Sequence, residues 1–414
     1  MSKPKIGILH YSAPPVVGGV EAVIAAHTNL LLAEGYSVTI VAGQGQASAL
    51  PEDVQLEIIP EIDSQHAQII EMNEFLDVGE VPAGFEQMTE KINLSLEPIL
   101  AEFDSLIVHN VFTKHFNLPL TVALYRLLHA GSIKRCIAWC HDFTWTSPSS
   151  GSKVFDRYPW DLLKTFRRDV VYVVVSKRRQ RTLADLLDCA LEEIKVVYNG
   201  VDPAEILGLT QEGQALIERL ELFDDDLILL MPVRVTKAKN IELALKVVSA
   251  LKEKFAPKLV LTGPPDPHDA KNMEYFHSLQ ELRRELGVER EMRFVFESGP
   301  DPDKPYFIGL DVVGDLFRVS DAMFMPSHRE GFGMPVLEAA LVGIPVISTS
   351  VPAAQEIGAD NVVIFDAEAE PQEIAALIIG RTQDNPLHRH RRSVRQQYTW
   401  RAIFDRDIQP LLRA

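Results

Sequence analysis

Short apolar runs rich in Val, Ile and Leu alternate along the whole chain with longer stretches of helical periodicity. In the first half the runs are Lys5–Leu9, Ser37–Val41, Ser105–Val108, Arg135–Trp139, Val170–Val175 and Lys195–Tyr198. They are continuous rather than strictly alternating, the pattern of parallel strands covered on both faces. Between them Val20–Glu34, Phe85–Phe103, Leu118–Leu128 and Lys177–Leu187 read as helices. The second half repeats the theme with Leu227–Met231, Lys258–Leu261, Met292–Phe296, Ala322–Met325, Pro345–Ser348 and Val362–Phe365 as strands. Such alternation requires right-handed crossovers and doubly wound parallel sheets. A chain of 414 residues suits two domains of roughly 200 residues each. Turn residues at Asn199-Gly200-Val201-Asp202-Pro203 end a strand and mark the boundary. The expected fold class is α/β, with two Rossmann-like doubly wound domains facing across a cleft, one over 1–203 and one over 204–397.

Composition narrows the function classes. A formal charge of −17, from 41 basic and 58 acidic residues, argues against nucleic acid or a bulk anionic membrane as the main partner. Three cysteines cannot build a disulfide framework and indicate a reducing compartment. The first apolar run, Ile6 to Leu9, is too short for a signal-peptide core. No run reaches the ~20 residues that span a bilayer, so a cytoplasmic protein is expected. Charge is uneven within the first half. Glu52 to Asp104 carries fourteen acids and one base, Lys91, while Arg126 to Arg181 carries twelve bases and four acids. The bases bunch at Lys164, Arg167, Arg168 and at Lys177, Arg178, Arg179, Arg181. They read either as a solvated face that balances the acids or as a surface for an anionic acceptor. The latter would be a phosphorylated sugar or a lipid phosphate, with peripheral contact at the inner membrane face through 164–181.

Three segments carry the chemistry. Gly18 and Gly19 follow the first strand and open the helix from Val20, where free N–H groups and the positive dipole end suit a phosphate. Gly43-Gln44-Gly45 is half of a dinucleotide fingerprint with no third glycine at the required spacing, and reads as a loop. The second segment runs from Ser327 through Glu330, Gly331, Phe332, Gly333, Met334, Pro335 and Val336 to Glu338. A strand enters a glycine-flanked turn, and Pro335 sits where the first turn of a helix tolerates it. Glu330 therefore projects from a loop at a strand's carboxyl end, with Glu338 one turn into the helix. Two carboxylates beside an anion-binding helix end fit a ligand with hydroxyls and phosphates, as in a nucleotide sugar. The third segment places Arg234, Lys237 and Lys239 after the strand Leu227–Met231, where cations would neutralise a diphosphate. Weaker candidates are Asp301 and Asp303 as a metal pair, Cys136, Cys140 and His141 as zinc ligands, and His10, His109 and Asn110 as strand-end residues on the acceptor side. The acidic pair falls in a Pro/Gly-rich loop, and strand alternation is expected to separate the cysteines. Metal is therefore expected at neither.

Gly18-Gly19, Arg234 with Lys239 five residues on, and Glu330 with Glu338 eight residues on together resemble the retaining nucleotide-sugar glycosyltransferases of the GT-B fold, family 4. Val175-Ser176 before a helix, Tyr198-Asn199-Gly200-Val201-Asp202, Ser320-Asp321-Ala322 and the terminal Tyr398-Thr399-Trp400 add to the likeness. The resemblance covers nearly the full chain. It implies that Arg234 and Lys239 bind the donor diphosphate and that Glu330 holds hydroxyls of the transferred sugar. Glu338 would hold the ribose, Met334 and Val336 would offer N–H groups to phosphate, and His141 would reach the donor sugar. It also implies a metal-independent hexosyl transfer with retention, a UDP- rather than GDP-sugar as donor and a hydroxyl acceptor. A last helix over 398–414 would cross back to the first domain. Asn240 departs from the glycine frequent after the lysine, and the acidic 52–104 segment matches no family feature. The residues alone also suit an epimerase-like sugar-nucleotide enzyme or a non-catalytic nucleotide-sugar-binding protein.

Overall fold

The computed structural model describes residues 4–265 and 271–413; Met1–Lys3, at the start of the leader reading, lie outside them. The chain divides into two compact units, one of residues 1–200 with 400–414 and one of residues 201–399.

The first unit is a seven-stranded sheet. Its strands are β1 (Lys5–Leu9), β2 (Ser37–Ala42), β3 (Gln55–Ile58), β4 (Ser105–His109), β5 (Cys136–Cys140), β6 (Val170–Val174) and β7 (Ile194–Val196), in the order β3-β2-β1-β4-β5-β6-β7. All neighbours pair in parallel. Every residue of β4 and β5 is buried, which is why those strands lack polar alternation. Two cores cover the two faces. One gathers Leu9, Leu106, Ala138 and the helices Phe85–Leu100 and Leu118–Ala130; the other gathers Ile6, Ile8, Ile107 and Trp139. The second face is completed by the chain's last segment, whose Ile403, Phe404, Ile408 and Leu412 join that core. There the backbone widens, Gln409 N–H donating to Phe404 O five residues back, and the apolar side chains stay on one side.

The second unit has six parallel strands: β8 (Leu227–Met231), β9 (Pro257–Leu261), β10 (Met292–Phe294), β11 (Ala322–Met325), β12 (Val346–Thr349) and β13 (Val363–Phe365). Their order is β10-β9-β8-β11-β12-β13. Each unit therefore contains the strand order 3-2-1-4-5-6 of a Rossmann-like domain. In such sheets ligands bind outside the carboxyl ends of the strands where the order reverses. That point lies between β1 and β4 in the first unit and between β8 and β11 in the second.

Two elements differ from the reading of the sequence. The acidic segment contains β3 and the helix Ala67–Leu76, neither of which shows a long apolar run. Part of its charge is matched by the basic segment within the same unit. Arg126 pairs with Glu86 at 2.6 Å, Lys153 with Asp77 at 2.6 Å and Lys134 with Asp104 at 3.3 Å. Among the described residues no helix is long and apolar enough to cross a membrane.

Candidate functional site

In the second unit the reversal point is lined by the chain that leaves β8 and β11. After β8 a short turn over Lys237–Lys239 leads into the helix Ile241–Lys252. Asn240 joins the two with φ 50° and ψ 51°, in the left-handed region. Glycine and asparagine are the residues that tolerate that conformation, so the departure from glycine here has a backbone reason. The turn aims Lys239 at the loop after β11, where its Nζ donates to Glu330 Oε2 at 2.7 Å. Glu330 Oε1 accepts from Ser327 Oγ at 2.5 Å. Ser327 is fully buried, and its carbonyl accepts from Thr349 Oγ1 at the end of β12. A backbone bond from His328 N to Ala238 O, 2.9 Å, ties the two loops together. Glu330 is only 7% exposed at its side chain and Lys239 19%. Both oxygens of the carboxylate are thus held by groups from two strands, and the cation beside it is fixed.

Arg234 is exposed and forms no ion pair with any described residue. Lys237 is also exposed, its Nζ 5.9 Å from the Tyr275 ring centroid. Gly333 caps the helix Met334–Val342 with φ 82°, a conformation that restricts the position to glycine or a close substitute. Glu338 lies one turn into that helix, half-buried. Among the described residues the N–H groups of Gly331, Phe332, Gly333 and Met334 have no protein acceptor, but Val336 N–H already donates to Gly333 O at 2.9 Å. The expectation that Val336 offers its N–H to a phosphate is therefore corrected: the tight first turn uses it.

In the first unit the residues after β1, β4 and β5 meet at the other reversal point. His10 Nδ1 lies 3.1 Å from His109 O, and because a carbonyl only accepts, that nitrogen carries the proton. His109 Nδ1 and His141 Nε2 are 3.1 Å apart, with the rings stacked. Asn110, with φ 63°, accepts the backbone N–H groups of His141 and Asp142 at 2.9 and 3.3 Å. Glu21, in the first turn of the helix Gly19–Ala33, accepts from Ser12 Oγ at 2.7 Å and faces His10 Nε2 at 3.7 Å. A Cβ at Gly18 would lie 2.3 Å from that carboxylate, whereas one at Gly19 would meet nothing. Glycine at position 18 thus makes room for Glu21, and open space remains only at Gly19. His27 stacks edge-on against Trp139 at 4.6 Å and Trp400 at 5.6 Å. Burial, reinforced by the neighbouring histidine charge, pushes His27 down to about 3 and His141 to about 4. His109 is lowered well below the ordinary value for the same reason. His141 is therefore neutral at pH 7 and acts as a hydrogen-bonding group.

Neither candidate metal set is assembled. Cys136 and Cys140 lie on the same face of β5, in one core, so alternation does not separate them. Four residues of strand, ~13 Å, do. Burial raises both thiols, Cys140 to about 12. Asp301 sits in an exposed loop, paired with Lys304 at 2.8 Å and accepting from Asp303 N–H. No group of three metal-ligating side chains occurs among the described residues.

Two family descriptions match, and between them they take in both units. "Glycosyltransferase Family 4" covers residues 17–205 and "Glycosyl transferases group 1" covers residues 214–397. The chain belongs to glycosyltransferase family 4, and each of its units has the doubly wound parallel sheet described above. It is 24% identical over 310 residues to mannosylglucosylglycerate synthase of Petrotoga mobilis, covering 70% of each chain. It is 24% identical over 386 residues to alpha-1,3/1,6-mannosyltransferase ALG2 of Kluyveromyces lactis, covering 87% of this chain and 71% of that one. An uncharacterized glycosyltransferase of Methanocaldococcus jannaschii is 28% identical over 187 residues. That match spans 45% of this chain and 43% of the relative, less than half the length of either.

Sequence reasoning singled out Lys239, Glu330 and His141 but missed the residues that hold them. Ser327 stood in the quoted motif without a role, and Glu21 could have been noticed as an acid at the third helical position after two glycines. His27 gave no signal, since its neighbours come from β5 and the last segment.

Proposed function

We propose that the protein transfers a hexosyl unit from a nucleoside diphosphate sugar, UDP- in preference to GDP-, to a hydroxyl acceptor with retention of configuration. The observation that carries the reading is the Lys239–Glu330–Ser327 arrangement across β8 and β11, beside four unpaired N–H groups at a helix start. In this reading Arg234 and Lys239 neutralise the diphosphate, and the N–H groups of Gly331 to Met334 donate to its oxygens. Glu330 orients the sugar hydroxyls, Glu338 takes the ribose, and Gly18, Gly19 and the neutral His141 belong to the same reaction. The bond from the anomeric carbon to the phosphate oxygen breaks as the bond to the acceptor oxygen forms. The acceptor's proton passes to the departing phosphate. Negative charge grows on the leaving diphosphate, and cations held in place before the reaction stabilise it without reorganisation. The proposal requires no metal, since Lys and Arg supply the positive charge. It places the reaction in the cytoplasm. The exposed Arg168, Lys177, Arg178 and Arg181 favour an anionic or lipid-linked acceptor and contact with a membrane surface.

The test is a thermal-shift and hydrolysis screen of the purified protein against UDP-, GDP- and ADP-sugars, with and without EDTA. Stabilisation by UDP-sugars that EDTA leaves unchanged supports the reading. Stabilisation by another nucleotide series corrects the base, and an EDTA-sensitive shift overturns the metal-independent donor site.

A further inference from the structure

Beyond His141 the first unit carries a cluster of cations that the donor chemistry does not use. Lys114 N–H donates to Asn110 O at 2.9 Å, so the residue that holds the His141 backbone also pins Lys114. Thr113 Oγ1 donates to Asp142 O at 2.8 Å and Thr144 N–H to Thr113 O at 2.9 Å, which stitches the two turns together. Arg179 reaches the same place from the helix Lys177–Leu187, its guanidinium on Asp142 Oδ1 at 2.5 Å and 5.2 Å from the Phe143 ring centroid. Lys114 is half-buried, with Nζ 4.5 Å from the Phe116 ring centroid and no carboxylate partner among the described residues. Burial lowers its pKa; Asp142 partly offsets this, and Arg179 adds to it. The helix also begins against its own dipole. Lys177, Arg178 and Arg179 fill its first turn, where no acid is present, although cations at that end are unfavourable. Asp142, the acid whose charge Lys114 feels, is already paired with Arg179, so Lys114 has no carboxylate in contact and the cations here outnumber the acids, an excess that an anion balances.

We propose that Lys114, Arg179 and the first turn of the helix Lys177–Leu187 bind a phosphate group on the acceptor, next to His141. This deepens the glycosyl-transfer reading and rests on it for the word acceptor. The phosphate comes either from a soluble phosphorylated sugar or from a lipid headgroup.

The probe is inorganic phosphate, titrated calorimetrically into the full chain carrying Lys239→Ala, so that the donor loop does not compete. UDP binding is measured separately on the unaltered protein. We expect Lys114→Met to weaken phosphate binding about tenfold and Lys114→Arg to restore it. Should Lys114→Met fail to fold, reductive methylation of the unaltered protein answers the same question. Phosphate should slow modification of Lys114 and leave the exposed Lys195 unaffected. Equal phosphate affinity with and without Lys114, or no protection of Lys114, overturns the site while UDP binding still upholds the donor reading. Protection of Lys114 with no UDP binding does the reverse. Co-sedimentation with phosphatidic acid vesicles that Lys114→Met abolishes identifies a lipid phosphate. Phosphate binding without co-sedimentation identifies a soluble acceptor.

Discussion

Glu330 is the residue on which the most geometry converges. One oxygen accepts from a lysine fixed by the turn after β8, and the other from a serine that β12 holds in place. A carboxylate so restrained is oriented before any sugar arrives, and orientation established in advance is what a transition state rewards. Glu330→Gln keeps the shape but loses the charge that organises Lys239. We expect kcat/KM to fall by roughly 10²–10³-fold, by analogy with the loss of one preorganised donor to a developing charge. Circular dichroism should be unchanged, and near-normal turnover in this variant would exclude the role. Ser327→Ala removes one buried hydrogen bond worth about 1 kcal/mol, so its loss should be about fivefold. The order Glu330→Gln much worse than Ser327→Ala is the outcome to check in steady-state kinetics.

At the scale of elements, the loops that carry the site depend on backbone that most residues cannot adopt. Asn240, at φ 50°, turns the chain from Lys239 into the helix Ile241–Lys252. Asn240→Gly should leave thermal stability nearly unchanged. Asn240→Val forces a β-branched residue into the left-handed region, costs about 1–2 kcal/mol and displaces Lys239, so donor KM should rise as the melting temperature drops. A second support is the pair between Asp321, just before β11, and Arg395, with both guanidinium contacts at 3.1 Å. Despite burial, bonds to His388 and Arg395 hold the Asp321 carboxyl at about 2. Arg395→Ala strands that charge and should cost about 3–5 kcal/mol in unfolding experiments. Twelve strands were legible because buried parallel strands are continuous apolar runs. β3 was not, being a sheet-edge strand whose Gln55, Glu57 and Ile58 are exposed. The site was legible in part for a related reason. Glu330 and Lys239 stand in motifs with local spacing, and His10, His109 and His141 each end or follow a strand. That His10 meets His109, and Ser327 meets Thr349, depends on strand order, which sequence adjacency does not encode.

For the molecule as a whole, the two units differ in how they answer to acid. His27, His109 and His141 are buried neutral in the first unit, with His27 held down to about 3 and His141 to about 4. Both ring nitrogens of His27 lack a protein partner among the described residues, so nothing nearby compensates a proton there. In the unfolded chain these rings titrate near 6.5. Between about pH 6.5 and pH 4 the unfolded state therefore binds more protons than the folded one, and stability falls as pH is lowered. Above pH 6.5 this contribution is fully present. Asp321 in the second unit behaves differently, because its pKa of about 2 lies below the usual carboxylate value. Its contribution is retained until the pH drops below about 4. All four tryptophans, Trp139, Trp145, Trp160 and Trp400, belong to the first unit, so intrinsic fluorescence reports that unit selectively. The urea midpoint followed by tryptophan fluorescence should fall steadily from pH 7 to pH 5. His27→Phe, which preserves an aromatic ring against Trp139 and Trp400 and cannot take up a proton, should flatten that dependence. A midpoint independent of pH across this range would show that the buried histidines do not govern the acid response, and an unchanged slope in His27→Phe would show that His27 has no share in it.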